Sequence, residues 1–254
     1  MESTAALTAP DDVVTLDKLW PAWAAVVLAL LGIAAELIAG PGYRLGWWGL
    51  GPGLQLIRWA AITALAAGLI GAALAFLGGR RTRPIGFAAL LIGFAGAAPP
   101  AWFYYQLQHL PKLHDISTDT DNPPQFVAAL PLRSSAHNAP TYDPTTADAQ
   151  RRGYPDIGPM ALDEPPAQAL ERAAIAARSM GWDIVAIDPQ ALRIEATATS
   201  LLFGFKDDVV IRIAPRGGGS RIDVRSQSRV GGSDFGANAK RIHSFMQQIA
   251  SSAP

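Results

Sequence analysis

From residue 19 to residue 107 the chain is almost continuously apolar, whereas residues 108–254 have the mixed composition of an ordinary soluble domain. Six of the seven tryptophans fall in the first stretch. A single well-mixed globule does not segregate its residues in this way, so the division restricts the fold more than any motif does. Three runs, 21–39, 59–77 and 85–105, approach the roughly 20 residues that a helix needs to cross a hydrocarbon core. Only helices or closed barrels satisfy the backbone there, and no period-two alternation suggests a barrel. The expected organisation is a tail over 1–18, a three-helix transmembrane bundle over 19–107, and a separate domain over 108–254. Pro99-Pro100 predicts a kink or an end in the third helix.

The flank before the first span is acidic, unlike a signal peptide, so an uncleaved helix is expected. Tryptophans and tyrosines near the span ends resemble interfacial belts. Arg80, Arg81 and Arg83 crowd the short link between the second and third spans, and short basic loops stay in the cytoplasm. The expected topology is a multi-pass bacterial inner-membrane protein with a cytoplasmic N-terminus and a periplasmic C-terminal domain. Small residues recur every four positions, at Ala64, Gly68 and Ala72 and again at Ala89, Gly93 and Ala97, a spacing that lets helices approach closely. Glu36 is the one acid inside a span, and an interfacial Glu36–Arg58 pair is its simplest explanation. A transport role would instead require Glu36 itself.

The remaining residues read as an α+β domain. Residues 108–167 hold half of the prolines and widely spaced apolar residues, which predicts an extended wrap. Over 168–254 the order is α-β-β-β-β-α, an antiparallel sheet of about four strands with helices on one face. Alternation puts Ile194, Ala196, Ala198, Val209, Ile211, Ile213, Ile222 and Val224 toward the helices. It puts Arg193, Glu195, Thr197, Thr199, Arg212, Arg221, Asp223, Arg225 and Gln227 on the other face. That face is either a solvated lattice of cross-strand ion pairs or a platform for a ligand. The last helix is expected over 234–250, with Phe235, Ala239, Ile242, Phe245 and Ile249 sharing one side.

Few residue patterns suggest chemistry. The 21 Lys and Arg balance the 21 Asp and Glu, so nothing points to a nucleic-acid partner. The absence of cysteine excludes disulfides, thiolate metal sites and a cysteine nucleophile. The four histidines lack metal-ligand spacing, and no metal or cofactor is expected. In "HDISTDTDNPPQF", Asp119, Asp121 and Asn122 alternate like the start of a calcium loop, but the glycine and the closing acid are missing. The same residues favour turns, and a ligand surface is the third reading. Gly231-Gly232-Ser233 could receive an anion at a helix start. Ser233 or Asp234 could equally cap that helix, and the spacing fits neither a phosphate loop nor a nucleophile elbow.

Taken together, "DISTDTDNPPQF", "YPDI", "LFGFKDDVVIRI" and "SRIDVRSQSRVGGSDFGANAKRI" resemble the bacterial domain-of-unknown-function family 1499 over about residues 110–250. The resemblance implies no activity. It places Ser117, Thr118, Asp119, Asn122, Pro123, Asp207, Asp208, Arg225, Ser228, Arg229, Ser233, Asp234, Asn238 and Arg241 in the family pattern, with Asp207 and Asp208 expected to pair with Arg225 or Arg229. The leading expectation is a non-enzymatic envelope protein whose outer domain binds a protein, lipid or glycan partner near the bilayer. The alternatives are an envelope hydrolase using Asp119, Asp121, Ser233 or Asp234, and an accessory subunit of a transport system.

Overall fold

The computed structural model describes residues 19–251. The expected tail over 1–18, with Lys18, lies outside them. The chain divides into two compact units, one ending at Trp102 and one beginning at Phe103.

The first unit holds α1 (Trp20–Arg44), α2 (Leu50–Leu77) and most of α3 (Thr82–His109), each long and apolar enough to cross a membrane. All three exceed the expected spans. The stretch between the first two expected spans, residues 40–58, is largely helix, because Pro52 falls in the first turn of α2, where no intrahelical N–H is lost. The third helix runs on through Pro99 and Pro100 instead of ending there. Small residues do form the seams. A side chain at Gly32 would collide with Ala60 and Ala64 on α2, and one at Gly93 would collide with the Ala64 carbonyl and Gly68. Trp48 closes the short link after α1 by donating its indole N–H to the Ala39 carbonyl at 2.9 Å.

The expected Glu36–Arg58 ion pair does not form. Glu36 lies in register with the seam residues of α1, with its Oε1 buried and without a hydrogen-bond partner. Arg58 is exposed on α2, with its guanidinium 5.8 Å from the centre of the Trp59 ring.

The second unit is an α+β domain built on a six-stranded antiparallel sheet. Four strands are those expected: β3 (Asp183–Asp188), β4 (Arg193–Thr199), β5 (Lys206–Arg216) and β6 (Gly219–Ser228). The wrap supplies two more, β1 (Asp115–Ser117) and β2 (Met160–Leu162), which pair end to end along the outer edge of β6. It also holds two short 3-10 turns, Leu130–Arg133 and Pro144–Thr146, and the short helix α4 (Ala147–Gly153).

One sheet face packs beneath α5 (Pro166–Ser179) and α6 (Ala237–Ser251). Every strand residue assigned to the apolar face by alternation is buried there, joined by Ile116 from β1. Trp182 stacks on Phe245 with ring centres 5.4 Å apart. Phe235 does not share the α6 face. It precedes the helix with φ +54° and is 39% exposed.

Candidate functional site

The other sheet face is polar and mostly covered, with Thr199 exposed and Arg193, Arg212 and Arg221 partly exposed at its margin. Glu195, Thr197, Asp208, Asp223, Arg225 and Gln227 are all buried. The wrap passes over them, and Phe126 and Ala129 pack on Val210 as a small apolar patch within the polar surface. The expectation of a solvated lattice is therefore corrected. A polar face buried under a second layer must pair its charges internally, since unpaired buried charge is very costly.

Arg225 is fully buried. Its Nε and Nη2 donate to the two oxygens of Asp115 at 2.9 and 2.8 Å, and its remaining N–H groups reach the carbonyls of Pro124 and Pro140. The guanidinium lies 4.8 Å from the Phe126 ring centre and 5.5 Å from that of Tyr142. Such a fork satisfies planar donors and stacks on aromatic faces as lysine could not. Burial pushes the Asp115 carboxyl above its usual range, against the hydrogen bonds and charge of Arg225.

Asp208 forms the second node. It accepts from Arg133 Nη1 at 2.7 Å, from Arg229 Nε and Nη2 at 2.9 and 2.8 Å, and from Thr197 Oγ1 at 2.8 Å. Burial pushes its carboxyl up, but the donors from Arg229, Thr197 and Arg133 outweigh this and hold it below the usual range. Asp207 points to the opposite face and pairs with Arg241 of α6. The expected pairing was thus half right: Asp208 meets Arg229, while Arg225 turns to Asp115.

Asp119 forms the third node. Its Oδ1 accepts from the backbone N–H groups of Asp121 and Asn122, closing a turn. Its Oδ2 accepts from Arg212 and Arg221 at 3.1 and 2.9 Å, and both arginines also reach Asp223. The Ser117 hydroxyl donates to the Asp119 carbonyl, and the Thr118 hydroxyl accepts from Val224 N–H. Asp121 is outside the lattice, exposed and paired with Arg151. Nearby, the Gln150 amide receives Ser117 N–H and donates to the Ser117 carbonyl, taking the place of a neighbouring strand along β1. Glu195 accepts from the consecutive backbone N–H groups of Val127, Ala128 and Ala129, a nest that suits a carboxylate.

At the start of α6 the Asp234 carboxylate accepts from Gly236 and Asn238 N–H, both at 2.8 Å. It fills the position an anion would take. Burial pushes this carboxyl up, against those backbone donors. Asn238 in turn donates to Ser228 Oγ and to the His114 carbonyl, and Ser226 Oγ donates to Asn238 Oδ1. Ser233 makes only a long contact, accepting from Phe235 N–H at 3.4 Å.

The residues picked from sequence therefore separate into a lattice under the wrap and a cluster behind α6. Sequence reasoning missed Asp115, Arg133, Asn138, Tyr142 and Gln150, all in the wrap. Their partners lie far along the chain, with no local spacing to mark them. Two shallow grooves flank α6, one including Gln168, Arg172 and Gln248 and the other Met160, His243 and Met246. Neither is lined by the lattice. Among the described residues, no three His, Asp or Glu side chains converge as a metal site.

A family model described as "Protein of unknown function (DUF1499)" matches residues 115–249. No curated protein matches the chain.

Proposed function

Because this chain belongs to the DUF1499 family, which carries no assigned activity, we propose its function from its own geometry. It is a membrane-anchored protein of the bacterial cell envelope whose C-terminal domain serves as a non-enzymatic binding module at the bilayer surface. The helices α1–α3 hold the domain in the inner membrane. Arg80 and Arg81 in the link after α2, with Arg83 in the first turn of α3, favour a cytoplasmic N-terminus and a periplasmic domain.

The observation behind this reading is the consumption of the lattice acids. Asp115, Asp119, Asp208, Asp223 and Glu195 each accept from arginine or from several backbone N–H groups. A general acid or base needs a titrating proton within reach of substrate, and these carboxylates are occupied in holding the wrap to the sheet. The binding partner is accordingly sought on the surface, as a protein, lipid or glycan.

Asp119→Asn in the full-length chain tests the reading. The expected result is a lowered melting temperature, with complementation of a deletion strain lost only in proportion to the unfolded fraction. A variant that keeps its melting temperature and abolishes complementation would replace the binding reading with a hydrolase.

A further inference from the structure

The loop between β4 and β5, residues 200–205, exposes two adjacent leucines. Leu201 is 93% exposed and Leu202 is 41% exposed. The loop is built to hold them there. Ser200 N–H donates to the Phe205 carbonyl, Gly204 N–H donates to the Ser200 carbonyl, and Phe205 N–H donates to Ser200 Oγ. Gly204 takes φ +67° to close the turn. Phe203 is buried and stacks on Phe205 with ring centres 5.2 Å apart, giving the tip an apolar base.

Strand pairing locates this loop. Thr199 pairs with Lys206, Asp207 with Ser228, and the Ser228 N–H donates to the His114 carbonyl. The loop therefore shares one end of the sheet with His114, where the chain enters β1. His114 lies five residues beyond the end of α3 at His109, a reach of at most about 18 Å. In the order β1-β6-β5-β4-β3, β5 is two strand positions from β1, about 10 Å sideways. Covalent connection alone limits this end of the sheet to roughly 30 Å at most from His109, the last residue of α3. The turn between β5 and β6, at Gly217 and Gly218, lies at the opposite end of the sheet.

We infer that the 200–205 loop is a lipid-contacting tip, with Leu201 and Leu202 entering the headgroup–acyl boundary of the bilayer that α1–α3 span. The inference rests on the membrane-anchored reading and deepens it by naming the surface that meets lipid. Adjacent leucines suit that boundary, where apolar side chains leave water while a hydrogen-bonded loop keeps its polar backbone satisfied. The short tether makes the contact effectively intramolecular, so modest apolar area suffices.

The chain has no cysteine, so Leu201→Cys and Gly218→Cys each give a unique position for a nitroxide label. The full-length protein is placed in nanodiscs of phosphatidylethanolamine and phosphatidylglycerol, and spin relaxation by oxygen and by a water-soluble nickel chelate is measured. The expected result is a severalfold higher oxygen-to-nickel ratio at 201 than at 218, with both variants melting like the parent. Equal ratios, with nickel reaching 201 freely, would overturn the inference. Protection of 201 from both reagents would also overturn it, showing a protein covering the tip. Retention of the chain in carbonate-washed membranes tests anchoring separately, so that failure of the loop contact and failure of the anchored reading are distinguished.

Discussion

The two faces of the central sheet solve the same problem with opposite chemistry. One face buries Ile194, Val209, Ile211, Ile222 and Val224 beneath two amphipathic helices. The other buries Arg225, Asp208, Asp223 and Glu195 beneath a proline-rich wrap. Apolar burial is non-directional and roughly proportional to area, so helices can settle on the first face with many small adjustments. Buried charge offsets its desolvation only with good geometry and a full set of hydrogen bonds. The second face therefore fixes the path of a segment that has little regular structure of its own. Segments that cannot rely on ladder hydrogen bonds can be ordered by side chains instead, as Glu195 orders residues 127–129 and Asp119 orders 121–122.

The largest expected effects come from breaking either face at its centre. Phe245→Ala on the apolar side should cost about 3–5 kcal/mol, and Arg225→Ala on the polar side about 3–5 kcal/mol by leaving Asp115 buried and unpaired. Urea unfolding of the full-length protein in detergent measures both. What separates the faces is repair. Arg225→Met combined with Asp115→Leu should recover most of the loss, because apolar groups of similar volume remove the stranded charge together with its partner. If the double variant is no more stable than Arg225→Ala, the pair does more than satisfy itself, and the contrast drawn between the faces fails.

An intermediate effect concerns acid. The Asp208 carboxyl is held below its usual range. The stability it contributes is therefore fully present above the unfolded value of about 3.9 and is lost as pH falls through the folded value. Asp115 and Asp234, pushed up by burial, act in the opposite direction, since the fold favours their protonated forms. A difference measurement isolates the first group. Asp208→Asn should destabilise the domain at neutral pH by about 1.5–3 kcal/mol, the range for hydrogen bonds to charged groups, and its deficit should shrink below pH 4. A deficit that stays constant from pH 7 to pH 3 would show that the Asp208 charge is not what holds Arg133 and Arg229.

The same contrast explains what the sequence made legible. The apolar face could be assigned strand by strand because period-two alternation is a local signal. The polar face alternates just as cleanly, yet alternation cannot distinguish charges facing water from charges covered by another layer. The covering residues are remote: Asp115 and Arg225 are 110 positions apart. Nor could composition sort the wrap, where Phe126 and Tyr142 turn inward while Val127, Leu130 and Leu132 remain about half exposed. In the helices, the i, i+4 spacing found Ala64, Gly68, Ala89 and Gly93, but it also named Ala72 and Ala97, which are only partly buried. It passed over Gly32, Gly71 and Gly86, because small residues are common throughout these spans and only the facing helix selects among them.

The smallest expected effect is at Asp121, beside Asp119 in the sequence but outside the lattice. Its carboxylate is 88% exposed and meets an Arg151 side chain that is itself half exposed. Solvent-exposed ion pairs contribute little, so Asp121→Asn should shift stability by less than about 0.5 kcal/mol. It should also leave complementation of a deletion strain unchanged. The comparison with Asp119→Asn is the informative one, because both variants remove one charge from one short acidic turn. Large loss at 119 with none at 121 means that the turn serves the lattice. Loss of complementation at 121 with the melting temperature intact would instead locate chemistry on the exposed side of the turn, where Arg151 and the Thr120 hydroxyl already meet.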